Sequence, residues 1–215
     1  MPAPYFFGYG SLVNTRTHDY RQARPARLRG WRRAWVHTDL RPVAFLSAVP
    51  CEHSVIDGLI AEVPGADWAA LDEREFAYDR LPAQGAVDHD LPTQTDIAVY
   101  AVPAHSQQAA SHRHPILLSY LDVVIQGYHQ VFGREGVADF VTTTDGWDAP
   151  ILNDRPAPQY PRHQALSPQE TALVDRILAD VNATVVENVV DSVIDAAPTA
   201  DAGAGAGTTH PGSAA

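Results

Sequence analysis

The chain has 215 residues, a formal net charge of -11 and fifteen basic residues, all of them arginine. That length supports one domain with an appendage and a proper buried core, and an acidic balance without basic clusters makes nucleic acid and anionic membrane poor partners. The lack of lysine excludes Schiff-base chemistry and a P-loop, and a single cysteine, Cys51, excludes an internal disulfide and a cysteine-built zinc site.

The N-terminal MPAPYFF has neither a charged leader nor a long apolar segment, so a signal peptide is not expected. No run approaches membrane-spanning length, and the expected location is a reducing cytoplasm. Tyr5–Tyr9 reads as a first strand, rich in aromatics and closed by glycine. Leu28–Val36 alternates bulky residues with arginine, as a half-buried strand does. Val43–Val49 is a short apolar strand, and Val55–Val63 a β-branched one in which Gly58 signals a bulge or a close backbone approach. Asp67–Phe76 follows Pro64-Gly65 with good helix formers and Asp67 as cap. Asp96–Val102 is a further strand, ended by Pro103. Ile116–Phe132 has apolar residues at helical spacing and stops at Gly133. The stretch from Phe140 to Arg162 is proline-rich and irregular. A helix opening at Ser167-Pro168-Gln169-Glu170 has capping-box spacing and is well supported to Val181; its β-branched continuation to Asp195 is not. From Ala196 the Ala/Gly/Thr-rich tail offers nothing to bury and should be disordered. Short strands at this spacing, with fewer helices, predict an α+β fold built on a barrel or a strongly curved sheet.

Two stretches carry chemistry. The first is Gly8-Tyr9-Gly10-Ser11-Leu12, at the end of the first strand. Glycines there let main-chain amides approach a ligand, and successive amides in a turn form an anion-binding concavity; an ordinary tight turn is the plain alternative. The second is Leu71-Asp72-Glu73-Arg74-Glu75-Phe76, followed by Tyr78. At helical spacing Trp68, Leu71, Asp72, Glu75 and Phe76 share one face, and Glu73 points away. Glu75 then sits at the edge of an apolar face near a helix C-terminus, where burial and the helix dipole both favour its neutral form. That suits a general base tuned toward neutrality. The plain alternative is a helix-end glutamate paired with Arg74, Arg80 or Arg16.

Together and in this order, the two stretches resemble the γ-glutamylcyclotransferase-like family, with its ChaC and AIG2 branches. The family's Tyr-Gly-Ser turn falls on Tyr9-Gly10-Ser11-Leu12, and its glutamate, with a tyrosine shortly after, on Glu75 and Tyr78. The resemblance covers about Tyr5 to Val102, with the Ile116 helix included. It implies a small mixed β-barrel with flanking helices, placed over residues 1–165; the helical extension (166–195) and the tail (196–215) are additions to the pattern without an assigned role. It also implies an acyltransferase- or lyase-type enzyme that releases 5-oxoproline from a γ-glutamyl amide by attack of the substrate's own α-amine. Glu75 would be the general acid/base, and Tyr9, Gly10, Ser11, Leu12 and Tyr78 would bind the substrate. The partner implied is a small γ-glutamyl molecule, and no cofactor and no metal is required.

The turn departs from the pattern in reading Leu12-Val13-Asn14 after Ser11, where several members have Asn directly after the serine. Asp145, Trp147, Asp148 and Asn153 are open to two readings, pocket lining or loop structure. Of the ten histidines, His112 and His114 sit one residue apart, without the spacing of a zinc protease. Ser11 as a hydrolase nucleophile would lack the G-x-S-x-G elbow. The rival from another class is a catalytically silent barrel that binds a small amino-acid-like ligand, since fold does not settle function.

Overall fold

The computed structural model describes residues 3–40, 42–92 and 94–188. The tail from Ala196 and the far end of the last expected helix lie outside the described residues. Tyr5–Gly8 forms β1, with all four residues buried, as a central strand covered on both faces requires. It pairs antiparallel with β3 (Phe45–Glu62) and parallel with β6 (Ile97–Ala101). Beyond β3 lies β2 (Arg24–His37), and beyond β6 lies β4 (Asp79–Pro82). The short strands β5 (Val87–Asp88), β7 (Gln108–Ala109) and β9 (Thr144–Asp145) add to β2 at different heights. The order β4-β6-β1-β3-β2-β5 makes a mixed sheet that curls into a half-barrel, and the class is α+β, as the sequence predicts.

The two strands expected at Val43–Val49 and Val55–Val63 are one, β3. The break between them survives as a register shift: Arg29 faces Val55 but Trp31 faces Pro50, which leaves Cys51–Ser54 without counterparts on β2. Gly30, at φ +80, takes up the turn on the opposite strand. At Gly58 the feature is the close approach, because an added Cβ would collide with the Gly8 carbonyl and the Phe7 ring.

Helix α1 (Trp68–Arg74) is capped by Asp67, which accepts from the Ala69 amide at 3.0 Å. It ends before Phe76, which is 60% exposed, so Phe76 does not share the buried face of Leu71 as its spacing suggests. Ile116–Leu117 is a short strand, β8, and α2 (Leu118–Thr142) starts after it. The expected stop at Gly133 is a kink. Glycine takes φ 68 there, and the helix resumes to carry Val137 and Phe140 into the core. The first half of α2 is buried on nearly all sides, so it lies inside the molecule rather than on it. Strands β10 (Ile151–Leu152) and β11 (Val185–Val186) form a small parallel sheet with β8. Helix α3 (Pro168–Asp180) opens with the expected capping box and adds Val174, Ile177 and Leu178 to the common core. No described helix is long and apolar enough to cross a membrane.

Candidate active site

After β1 the chain passes through Tyr9 and Gly10 into a single 3-10 turn, Ser11–Val13. Val13 and Asn14 donate back to the Gly10 and Ser11 carbonyls at 3.0 and 3.1 Å. The leading amides of such a turn have no partner within it. The turn is clamped at both ends. The Tyr9 carbonyl accepts from Arg33 Nε at 3.2 Å and from the Tyr128 hydroxyl at 2.9 Å. At the other end the buried Asn14 donates to the Val123 carbonyl (3.0 Å) and to Gln126 Oε1 (2.9 Å), both on α2. Gly127 makes room for that contact, since a Cβ there would stand 2.6 Å from the Asn14 nitrogen.

The two glycines of the turn are needed for space rather than for a left-handed backbone. Gly10 has φ -120, and a Cβ there would meet the Tyr120 hydroxyl at 2.6 Å. A Cβ on Gly8 would meet the Leu12 Cβ at the same distance. His18 supports the far side of the turn. Its Nδ1 accepts from the Tyr20 amide (3.2 Å), so Nε2 carries the proton that is donated to the Leu12 carbonyl (2.9 Å).

Glu75 caps the C-terminus of α1, its amide bonded to the Leu71 carbonyl at 3.0 Å. Its carboxylate lies 3.0 Å from Arg74 Nε, and both side chains are largely buried. Of the arginine partners its position allows, the structure thus supplies Arg74. Arg74 also donates to the Tyr20 hydroxyl at 2.8 Å and lies over that ring. The other carboxylate of this face, Asp72, is committed elsewhere: it accepts from the Tyr100 hydroxyl at 2.6 Å and lies 3.6 Å from Arg80. Tyr78 donates to the Leu46 carbonyl at 3.0 Å.

One cavity of ≈ 140 Å³ joins these parts. Tyr9, Gly10, Ser11, Leu12, Glu75 and Tyr78, the site residues expected from the sequence, all line it. So do Arg74, Tyr100, Tyr120, Tyr160, Arg162 and the stretch Val43–Leu46, which the sequence did not single out. Burial first pushes the hydroxyls of Tyr9, Tyr100 and Tyr120 upward, followed for Tyr100 by Asp72 and with a smaller contribution from the Glu75 charge in all three, so they stay protonated near neutral pH. Among the described residues no histidine lines the cavity, and both nitrogens of His18 are engaged, so no described histidine stands as a base for Ser11.

Asp145, Trp147, Asp148 and Asn153 are not part of this lining. Asp145 pairs with Arg32 at 2.6 Å, Trp147 donates to the Val141 carbonyl at 3.1 Å, and Asn153 bonds Glu187 at 3.2 Å. Of the two neighbouring histidines, His114 stacks on His37 at 3.4 Å. Among the described residues no group of His, Cys, Asp and Glu has the makings of a metal site.

Residues 6–119, more than half of the chain, match the family model described as gamma-glutamyl cyclotransferase, AIG2-like. Among solved structures, one gamma-glutamyl cyclotransferase is 13% identical with a TM-score of 0.51, over 81% of this chain and 99% of its own. The human protein loc79017 is 13% identical with a TM-score of 0.54, again over 81% of this chain and 99% of its own. YkqA from Bacillus subtilis is 15% identical with a TM-score of 0.52, over 68% of this chain and 57% of its own. At these identities the likeness is one of fold. No curated protein matches the sequence.

Proposed function

Because the chain belongs to the gamma-glutamyl cyclotransferase, AIG2-like family, we propose that it releases 5-oxoproline from a small γ-glutamyl amide, with Glu75 as general acid/base. The observation that carries this reading is the shared cavity. Glu75 and the Tyr9–Leu12 turn line the same cavity. The substrate's α-amine is mostly protonated near neutral pH, since a reference α-amine titrates at about 7.7–8.0. Glu75 takes a proton from that ammonium. The freed nitrogen attacks the γ-carbonyl carbon, a new C–N bond closes the five-membered ring, and the old amide C–N bond breaks. The proton held on Glu75 passes to the departing nitrogen, and Glu75 then takes the second proton from the ring nitrogen and releases it to solvent, which leaves a neutral lactam. Folding the substrate so that its two ends meet is most of the task, and well-oriented intramolecular reactions reach effective molarities of about 10⁵ M or more. The turn amides hold the substrate carboxylate or the oxyanion that forms on the γ-carbonyl, where losing one donor costs about 10²–10³ in rate. Tyr78 closes the wall beside Phe45, on which its ring packs at 5.4 Å.

The test is Glu75→Gln, read by 5-oxoproline release from a panel of γ-glutamyl compounds. Glu75→Gln keeps the side chain's shape and removes its proton transfer, so turnover should vanish while the melting temperature holds. Glu73→Gln, on the exposed side of α1, is the control and should stay near wild type. Undiminished turnover by Glu75→Gln refutes this role for Glu75.

A further inference from the structure

One wall of the cavity comes from the stretch between β10 and α3, through Tyr160 and Arg162. Both lie outside the matched residues 6–119. That stretch forms no regular element, so its backbone groups must find partners elsewhere. The buried Asp154 supplies several of them. Its Oδ1 accepts from the Ser119 amide at 2.7 Å. Ser119 is the second residue of α2, and Leu117 before the helix gives no side-chain cap. A carboxylate from 35 positions away thus satisfies an amide that the helix cannot, at the positive end of the helix dipole. Asp154 Oδ2 accepts from the Gln159 amide at 2.8 Å and from the Ser119 hydroxyl at 2.5 Å. With its proton turned to Asp154, that hydroxyl offers a lone pair to the Tyr160 amide at 3.2 Å.

These bonds hold a side chain in the cavity. The Tyr160 ring stands edge-on to Tyr120 at 5.0 Å, and both rings line the space shared by Glu75 and the Tyr9–Leu12 turn. Tyr120 directly follows Ser119, so one carboxylate fixes the backbone under both rings. Ring closure within a substrate requires its two ends to be folded together, and a misplacement of about 1 Å can cost about 10²-fold in rate. Asp154 itself does not line the cavity. Arg155 anchors the same stretch independently, to Asp122 (2.7 Å) and Asp175 (2.6 Å).

Resting on the cyclotransferase reading, we propose that Asp154 is a positioning residue for the reaction: by joining Ser119 to the Gln159–Tyr160 backbone, it sets Tyr160 as the wall that keeps the substrate folded for ring closure. It acts through Tyr160 and exchanges no proton with the substrate.

Asp154→Asn keeps the side chain's shape and cuts one link whichever way its amide turns, because the NH2 must face either the Ser119 or the Gln159 amide, both donors. Arg155 still holds the stretch, and thermal melts check that the variant is folded. At a temperature where it is, kcat for 5-oxoproline release should fall about tenfold or more, with a smaller change in KM. In a Tyr160→Ala background the same substitution should cost much less, because the wall it positions is gone. Ser167→Ala uncaps α3 away from the cavity. It should lower the melting temperature and leave kcat near wild type. Trypsin reads the tether without turnover. Cleavage after Arg162, followed by mass spectrometry, should be faster in Asp154→Asn than in wild type. A wild-type kcat in Asp154→Asn overturns the assignment, and so does a loss carried by KM alone. A loss that persists in full in the Tyr160→Ala background overturns it too, since Asp154 would then act by another route. If wild type releases no 5-oxoproline from any γ-glutamyl compound, the cyclotransferase reading fails by itself. Faster cleavage after Arg162 would then still show Asp154 holding the wall, and unchanged cleavage would refute that as well.

Discussion

Arg33 donates from Nε to the carbonyl of Tyr9 at 3.2 Å, from a side chain that is only 1% exposed. Among the described residues no carboxylate forms an ion pair with Arg33. Its charge is met by oxygen dipoles instead: the Tyr9 and Asp57 carbonyls, the Thr143 hydroxyl at 2.7 Å and the Tyr128 hydroxyl at 2.5 Å. The rings of Tyr128 and Phe140 lie 4.9 and 5.0 Å from the guanidinium carbon. Burying an isolated cation is costly unless such partners are supplied, so the cluster has to be doing something with the peptide it grips. With a trans peptide between Tyr9 and Gly10, the Gly10 N–H points away from the held carbonyl. A positive charge at the carbonyl end of that dipole also makes the N–H a stronger donor.

Tyr128 offers the gentlest way to disturb this grip. Burial pushes its hydroxyl up to about 12, so it remains a donor across the working pH range. Besides Arg33 it serves the Tyr9 carbonyl (2.9 Å) and the Asp57 carbonyl (2.7 Å). Tyr128→Phe should cost about 1–3 kcal/mol, because it leaves buried oxygens short of a donor. Urea unfolding would measure that loss. If the clamp sets the turn, kcat/KM for a γ-glutamyl substrate should fall as well, at a temperature where the variant remains folded.

Local signals in the sequence carried through wherever the responsible atoms are near neighbours in the chain. The Ser167–Glu170 capping box forms in both directions, at 2.7 and 3.3 Å. Gly58 was legible as a bulge or a close approach, and the contacts with Gly8 and Phe7 decide for the second. The turn and Glu75 were legible as motifs, and the fold brings them to one cavity. Phe76 was misjudged because helical spacing was carried past the end of α1, which stops at Arg74. Tyr120 could not be singled out, since an aromatic in a mostly buried helix looks like any core residue. Tyr160 and Arg162 had no periodicity at all. They reach the cavity through long-range contacts such as that of Asp154 with Ser119, which spans 35 positions of the chain.

Acid should loosen the far side of the turn through His18. Its pKa is lowered, first by burial and further by the charges of Arg74 and Arg162, against the Leu12 carbonyl, which raises it. A histidine with a depressed folded pKa binds fewer protons folded than unfolded. Its contribution is therefore fully present above the unfolded value of about 6.5 and is lost as pH falls through and below it. Protonation would also turn Nδ1 from an acceptor into a donor facing the Tyr20 amide. The melting temperature should fall between about pH 7.5 and about pH 5, and His18→Gln should flatten that slope. His114 is shifted in the same direction, by burial first and then by His37 and Arg113, so some slope should remain. A slope identical to that of wild type would remove His18 from this account.

The sharpest test of the turn itself is a pair of substitutions that differ in where they place an atom. Ser11→Ala removes a hydroxyl and leaves every amide in place. If the amides do the binding, its kcat/KM should stay within a few-fold of wild type. Gly10→Ala adds a Cβ that would stand 2.6 Å from the Tyr120 hydroxyl. Either Tyr120 swings away or the turn shifts, and overpacking of this kind costs about 1–3 kcal/mol. At φ -120 Gly10 lies outside the left-handed region, so the contact with Tyr120 is the source of damage that the pair tests. Tyr120→Phe removes the offending oxygen. The double variant Gly10→Ala/Tyr120→Phe should therefore recover stability and turnover relative to Gly10→Ala alone, with a coupling energy of about 0.5–3 kcal/mol, as for residues in direct contact. Steady-state release of 5-oxoproline and thermal melts on wild type, both single variants and the double variant give the cycle. Strict additivity would show that Gly10 is required for some reason other than Tyr120. An inactive but folded Ser11→Ala would move the chemistry from the backbone to the serine hydroxyl.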